Sequence, residues 1–402
     1  MRRKTELIIA GCLELLAVAL AKWQALGGVR TDEAKYLLNI PYPHPPLMRW
    51  LMSMTEMLPF QEMFWRLLLA TLIVQAVWLV WDLTNPERSG AKSKGHLEDR
   101  MMICAGWLLS SAVLVGAGSI LLAPVMALQT LVFLWLQTRS DVSKKMPAAI
   151  ALFWLATVFT TYTGVLLFPL VWNILRRGGC TIAQTALYVF GPVVLLFLYT
   201  LTNPLALAII LVHRDEGLRT GLAAQAMGFG TLWIIGGAGV ASAVGTWGIL
   251  RSRDKALLLS FILVCAYCFF SITPRYYAVM LTPFFVAGLW KIFHARRHPH
   301  AFPLLGCLIC ASAVITWFVQ PIRTPVVARE VMSAASGSGT VLISGPFGHE
   351  WQYESRSEVR RYRPEFTKDA AAIVCLNPCE PMFDTSGWKQ LKDLPVEAWV
   401  RK

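Results

Sequence analysis

Long apolar runs separated by short polar connections fill about the first 320 residues. A helix needs about 17–25 residues to cross a hydrocarbon core ~30 Å thick, and most of the runs have that length. They predict eleven transmembrane helices, at about residues 5–22, 64–83, 101–117, 119–138, 147–161, 162–175, 183–202, 228–250, 256–272, 276–292 and 302–319. The fifth and sixth runs are too short to cross alone, and the polar segment from Thr160 to Thr163 predicts a turn between them. The predicted number of transmembrane helices could therefore differ from eleven by one or two.

The pattern changes after about residue 320. Short apolar runs, VLIS at 341–344 and AAIVCL at 371–376, alternate with polar stretches, one of them amphipathic. Runs of this length and composition favour strands, so residues 321–402 are predicted to form a small α/β domain. The mixed charges from Glu354 to Asp369 predict a solvated face. Cys375 and Cys379 have the spacing for a disulfide in an oxidising compartment, although one pair is weak evidence.

Composition excludes an ordinary soluble domain. The chain is 56% hydrophobic and 15% charged, against roughly 45–50% and about 25% in soluble proteins. The mean hydropathy is +0.53. These values indicate an integral membrane protein whose immediate partner is the lipid bilayer.

The net charge of +13 could suggest a nucleic-acid partner, but the positions of the basic residues indicate otherwise. Of the 37 Lys and Arg residues, 18 lie in the connections that are inside if the N-terminus is inside. Eight lie in the outer connections and helix ends, and 11 lie in the tail. Short inner loops are enriched in Lys and Arg, so this bias predicts an inner N-terminus and an outer tail, without nucleic acid.

In the first outer loop, residues 23–63, the polar and ionisable residues are concentrated in the stretch RTDEAKYLLNIPYPHPPLMRW. On a helix, the adjacent acids Asp32 and Glu33 point about 100° apart and cannot form a paired clamp. Lys35 and Tyr36 follow on the face of Asp32. Four prolines then exclude a regular helix between residues 41 and 46.

A new helix is predicted after Pro46, with an apolar stripe that would lie in the membrane interface. The stripe consists of Leu47, Trp50, Leu51, Met54 and Leu58. The loop would thus hold a carboxylate and His44 near the lipid headgroups. A solvated loop with helix-capping acids explains the same residues equally well.

The order DEAKYL, PHPPL and EMFWRLLLA resembles the membrane glycosyltransferases of the GT-C superfamily. The similarity is to the group of protein O-mannosyltransferases and lipid A aminoarabinose transferases. Weaker likenesses are TYTGVLLFPLVWNILRR, which ends at Arg177, and PRYYAVMLTPFFVAGLW at 274–290. The resemblance implies an all-α polytopic GT-C-like membrane domain over residues 1–320.

The resemblance also implies an activity. The chain would transfer a sugar from a polyprenyl-phosphate donor to a lipid, glycan or protein acceptor, by direct displacement with inversion. The site would face outward, in the setting of a bacterial cytoplasmic membrane. A prenyl chain gains about 0.8 kcal/mol per buried CH₂, so its sugar stays at headgroup depth, where the loop lies.

Roles follow for individual residues. Asp32 would be the catalytic base, with Glu33 orienting or capping it. The candidate ligands of the donor phosphate are Arg275, His44 and Arg66. The residues that could line the substrate loop are Lys35, Tyr36 and Tyr276.

Three departures from the family pattern limit what it implies. The turn GAGS at 116–119 has no acid where many relatives carry one, Thr161 replaces a basic residue, and 402 residues is short for the group. No cofactor is indicated, and use of a divalent metal stays open. A transporter or lipid flippase, with Glu14 as its intramembrane acid, and a relative without activity are the alternatives.

Overall fold

The computed structural model describes residues 2–40, 44–85, 97–139, 144–208, 221–271, 275–295, 301–319, 326–335, 339–376 and 384–402. Most of these residues are helical. The chain divides into two compact units. The helical unit comprises Met1–Ala21, Tyr42–Trp50 and Trp65–Ile322, and the mixed unit comprises Lys22–Pro41, Leu51–Phe64 and Arg323–Lys402. The mixed unit therefore combines the tail with two stretches of the first loop.

Helices follow the predicted apolar runs closely. Before the tail they are α1 (Arg2–Leu26), α2 (Thr31–Leu37), α3 (Leu47–Ser53), α4 (Gln61–Gln75), α5 (Val77–Leu83), α6 (Leu97–Leu108), α7 (Ser111–Gly116), α8 (Leu122–Gln137), α9 (Pro147–Thr160), α10 (Phe168–Arg177), α11 (Ile182–Thr202), α12 (Leu222–Gly237), α13 (Val240–Arg251), α14 (Lys255–Phe270), α15 (Thr282–Ala295) and α16 (Ala301–Val319). Short 3₁₀ helices at Tyr162–Leu167 and Arg275–Met280 precede α10 and α15.

Within the described residues, four helical segments are long and apolar enough to cross a membrane: Gln61–Leu83, Ile182–Thr202, Arg275–Phe293 and Phe302–Val319. The pair α12 and α13, bent by 92°, makes a fifth if it is one span. Three further apolar helices, Leu122–Gln137, Pro147–Thr160 and Lys255–Phe270, are shorter than these. Other runs are interrupted: Leu109 and Ser110 separate α6 from α7, and a 3₁₀ helix precedes α10. The prediction of a mostly helical chain with several membrane-length helices is confirmed.

The bend between α12 and α13 uses residues in the left-handed region. Ala238 and Gly239 have φ values of 50° and 66°. Hydroxyl groups from other helices donate hydrogen bonds to carbonyl groups at this break. Thr282 Oγ1 donates to the Gly236 carbonyl at 2.7 Å, and Ser111 Oγ donates to the Ile235 carbonyl at 3.2 Å.

The helix predicted after Pro46 is shorter than its apolar stripe. After α3 ends, the carbonyl of Met52 accepts hydrogen bonds from Thr55 Oγ1 (2.7 Å) and Gln61 Nε2 (3.0 Å). The backbone N–H of Thr55 donates to the same carbonyl at 3.0 Å, so the chain closes into a turn at the end of α3. The side chains around this turn are largely exposed and apolar, namely Leu51, Met54, Met57 and Phe60.

The tail forms a five-stranded mixed sheet with two short helices. Its elements are α17 (Val327–Ala335), β1 (Thr340–Ser344), α18 (His349–Ser355), β2 (Val359–Arg361), β3 (Ala370–Cys375), β4 (Trp388–Leu391) and β5 (Glu397–Arg401). The strand order is β2-β1-β3-β5-β4. β1 runs parallel to β2 and β3, whereas β5 runs antiparallel to β3 and β4. The predicted α/β tail is confirmed, with VLIS in β1 and AAIVCL spanning β3.

Alternate residues of the strands pack on opposite faces of the sheet. Val341 and Ile343 join a cluster with Trp351 of α18 and Val331 of α17. Leu342, between them in β1, joins the cluster on the other face with side chains that include Ile373, Trp388 and Trp399. Cys375, at the end of β3, is disulfide-bonded. Its predicted partner, Cys379, lies outside the described residues.

Candidate functional site

The N-terminus of α2 is closed by Glu33. This side chain is fully buried, and its Oε2 accepts a hydrogen bond from the backbone N–H of Arg30 at 2.9 Å. A carboxylate in the first turn also interacts favourably with the helix dipole. The contact assigns Glu33 a capping role in the fold.

Asp32, one position earlier, has a different environment. Its side chain is 38% exposed, and Oδ1 accepts a hydrogen bond from Lys35 Nζ at 3.0 Å. The predicted proximity of Lys35 to Asp32 is confirmed. With 38% of its side chain exposed, the Asp32 carboxylate can be reached from solvent while it is paired with Lys35. The ring of Tyr36 is buried and contributes to packing.

Arg329 of α17 lies at the centre of an ion cluster in the mixed unit, which we call the Arg329 cluster: Arg329, Glu62 and Glu354. Arg329 Nε donates to both carboxylate oxygens of Glu354 at 3.0 Å, and Nη2 donates to Glu62 Oε2 at 2.8 Å. Although burial acts to lower it, the pKa of Arg329 is raised above its usual range by hydrogen bonds and charge from Glu354 and Glu62. The guanidinium is therefore permanently charged and tightly held.

The tail also binds the backbone of the last turn of α1 and of the segment between α1 and α2. Arg329 Nη1 donates to the carbonyl of Ala25, and Val326 N donates to the carbonyl of Gly27 at 2.8 Å. Val29 N donates to Glu354 Oε1 at 3.1 Å. Gly28 has a φ of +78°, and a Cβ there would lie 3.1 Å from the Cβ of Arg329. A glycine is thus needed both for the turn and for this close approach.

A second contact lies next to Asp32. Thr31 Oγ1 donates to the carboxylate of Glu350 in α18, which also accepts from the backbone N–H of Gly348 at 3.1 Å. The residues flanking Asp32 on its N-terminal side are thus bound to tail residues by side-chain and backbone hydrogen bonds.

Part of the prediction for the tail was wrong. Glu354 was assigned to a solvated face, but its side chain is only 10% exposed and is paired with Arg329. The later charges of that stretch, including Arg360, Arg363 and Asp369, are exposed as predicted. Glu354 differs because its partners come from distant parts of the chain.

The other four predicted site residues belong to the helical unit. Arg66, in α4, is fully buried, and its Nη1 donates to the carbonyl of Gly118, in the GAGS turn, at 3.0 Å. Arg275 is exposed at the first residue of a 3₁₀ helix. Tyr276 is partly buried, and its ring centroid lies 4.8 Å from that of Tyr277. His44 is partly buried, three residues before α3.

The predicted residues therefore form two groups. Asp32, Glu33, Lys35 and Tyr36 share α2 in the mixed unit, while the four candidate phosphate-binding and substrate residues lie in the helical unit. Sequence reasoning missed Arg329, Glu350 and Glu62. The available signal was the presence of charged residues in polar stretches of the first loop and the tail, and that signal does not reveal their partners.

Glu14, the candidate intramembrane acid, joins two helices. Its Oε1 accepts from Thr71 Oγ1 at 2.7 Å, and its Oε2 accepts from Gln75 Nε2 at 3.4 Å. Thr71 and Gln75 belong to α4, so Glu14 serves the contact of α1 with α4. The contact gives the acid a structural role between two helices.

Across the described part of the chain, no group of three or more His, Cys, Asp or Glu side chains is arranged to hold a metal ion. No protein-family model matches the chain, and no curated protein or solved structure matches it.

Proposed function

We propose that the chain is an integral membrane glycosyltransferase of the GT-C type. It transfers a sugar from a polyprenyl-phosphate donor to a lipid, glycan or protein acceptor at the outer face of a bacterial cytoplasmic membrane. The observation that carries the proposal is Asp32, an accessible carboxylate on a helix whose other acid, Glu33, is used for capping.

The helices support a membrane location. The exposed apolar side chains of Leu51, Met54, Met57 and Phe60 directly precede the candidate span Gln61–Leu83. Apolar side chains next to the end of a span suit the interfacial layer. We propose eleven crossings with the N-terminus inside, which would put the first loop and the tail on the outer side. The disulfide at Cys375 is consistent with that location, since disulfides persist in oxidising compartments.

The reaction we propose is a single displacement. The acceptor oxygen attacks the anomeric carbon opposite the leaving group, while the carbon–oxygen bond to the prenyl phosphate breaks and its electron pair passes to the phosphate. Asp32 takes the proton from the acceptor, a contribution of typically about 10²–10⁴-fold in rate. Cations beside the departing phosphate lower the barrier further.

Arg275 is the strongest candidate for that cation. It is exposed at the start of the candidate span Arg275–Phe293, and a guanidinium can bind two phosphate oxygens at once. Arg66 is buried against the Gly118 carbonyl, which suits a structural role better. His44 remains the second candidate.

The proposal is tested with purified full-length protein and a panel of polyprenyl-phosphate sugars, by measuring the release of polyprenyl phosphate. Asp32→Asn keeps the size of the side chain but removes the base. Turnover should fall by about 10²–10⁴-fold while the donor still binds. Glu56→Gln, at an exposed acid of the same loop, is the matched control. Full turnover in Asp32→Asn would remove Asp32 from the mechanism.

A further inference from the structure

The segment from the end of α1 to the start of α2 is held by the tail at alternate residues. The carbonyls of Ala25 and Gly27 and the N–H of Val29 all have partners in α17, α18 or the residue before α17. The last carbonyls of a helix lack intrahelical partners, and a cation there is favourable. Arg329 supplies both a donor and a charge at the end of α1.

Glu354 couples two of these contacts. Its Oε1 accepts from Val29 N, and its two carboxylate oxygens accept from Arg329 Nε. Loss of the guanidinium would therefore remove the contact of the tail with the Ala25 carbonyl, which also accepts from Gly28 N at 3.1 Å. It would also loosen the carboxylate that holds Val29. Val29 is fully buried and lies three residues before Asp32.

We propose that Arg329 and Glu354 are positioning residues: they fix the Ala25–Val29 segment and, through it, the location of Asp32 at the start of α2. The inference rests on the proposed sugar transfer. It makes the tail part of the catalytic apparatus, although no tail residue takes part in the chemistry.

The geometry of the cluster requires arginine. One guanidinium reaches Glu354, Glu62 and the Ala25 carbonyl through three different nitrogen atoms. A lysine donates from a single nitrogen on a flexible stem and cannot span these three partners as the planar guanidinium does. Lys35, which is paired with Asp32, also lies within α2, so this ion pair moves with the helix.

The first measurement is amide hydrogen exchange across residues 25–37 of the full-length protein in detergent. Hydrogen bonds to charged groups are strong enough that Arg329→Gln should speed exchange there by about ten- to a hundredfold. Arg329→Lys should have a smaller effect of the same sign. The control is Arg360→Gln, which breaks the exposed 2.8 Å pair with Glu358 in the same tail and should leave this segment unchanged.

The second measurement is steady-state sugar transfer by the same variants. Displacement of a catalytic group by about 1 Å can cost about 100-fold, so kcat should fall by up to that factor in Arg329→Gln, while the donor KM stays close to wild type. Arg329→Lys should recover part of kcat. A purely structural role would instead reduce the fraction of active protein, with the kcat of the folded fraction preserved.

The two proposals fail separately. If the wild-type protein releases no polyprenyl phosphate from any donor, the proposed function fails, and exchange alone decides whether Arg329 holds the segment. If sugar transfer is seen but exchange or kcat in Arg329→Gln matches wild type, the positioning role is overturned. If Arg329→Gln loses exchange protection in β3 and β5, and so fails to fold, Arg329→Lys replaces it in both measurements.

Discussion

At the residue scale, the two carboxylates of α2 have different roles because their surroundings differ. Glu33 is buried, and its carboxylate accepts a hydrogen bond from the Arg30 N–H. The Asp32 side chain is partly exposed and is paired with Lys35. Adjacent helical positions point about 100° apart, so the sequence already predicted that they could not act as a pair. Which of them would be buried depended on tertiary packing, which no local pattern reveals.

Arg275→Lys tests the proposed phosphate contact. The lysine keeps the charge at the exposed start of the 3₁₀ helix but loses the planar fork. We expect kcat/KM for the donor to fall about tenfold or more, because bidentate hydrogen bonds to phosphate are lost. Arg251→Lys, at the C-terminal end of α13, is the control. Equal activity of wild type and Arg275→Lys would show that Arg275 only extends to the membrane interface.

Tyr353 predicts a pH dependence in the mixed unit. Burial, together with the charge of Glu62, raises the pKa of its hydroxyl to about 12, whereas a tyrosine in the unfolded chain titrates near ~10. Between these values the unfolded chain has lost a proton that the folded chain retains, so stability falls as the pH rises. Tyr353→Phe cannot titrate, and its unfolding midpoint should decline less steeply over this range. Parallel declines for the two proteins would refute the assignment.

At the element scale, α13 and α15 pack through glycines. A Cβ on Gly288 would overlap the carbonyl oxygen of Gly245, and a Cβ on Gly248 would overlap the carbonyl of Gly288. Small residues at such positions let helix backbones approach closely, which is typical of helix pairs in membranes.

Gly288→Ala should therefore separate α13 from α15 and destabilise the protein by about 1–3 kcal/mol, the usual cost of overpacking. The measurement is the thermal unfolding midpoint in detergent. Gly228→Ala in α12 is the control, because a Cβ there meets no atom within 4 Å. A midpoint for Gly288→Ala equal to that of the control would contradict the close packing.

The elements most readily predicted were those with a strong local pattern. The long apolar runs became helices, and VLIS and AAIVCL became β1 and most of β3. β2 has the sequence VRR, with two exposed arginines, and this sequence alone would predict a loop and not a strand. α3 ends at Ser53, before the end of the predicted stripe, in a turn where the carbonyl of Met52 accepts hydrogen bonds from Thr55 and Gln61. Apolar periodicity alone does not predict this turn.

At the scale of the whole molecule, the mixed unit is built from three separate stretches of the chain. Arg329 and Ala25 are 304 positions apart, and Glu354 and Val29 are 325 apart. The sequence pattern around a charged residue in a polar stretch is the same whether the residue is solvated or is paired with a residue hundreds of positions away. The candidate acid could therefore be predicted from the first loop alone, but the residues that hold it could not.

The orientation of the molecule is the remaining prediction, and it rests on the Lys and Arg distribution along the chain. Lys144 lies in a predicted inner connection and Lys368 lies in the predicted outer tail, and both are exposed. Each is replaced by cysteine in a protein whose exposed free cysteines, Cys12 and Cys307, have been changed to serine. A membrane-impermeant thiol reagent added to intact cells should label Lys368→Cys, and should label Lys144→Cys only after the membrane is opened. The reverse pattern would put the tail inside, where the thiols of Cys375 and Cys379 would be kept reduced, and would overturn both the topology and an outward-facing Asp32.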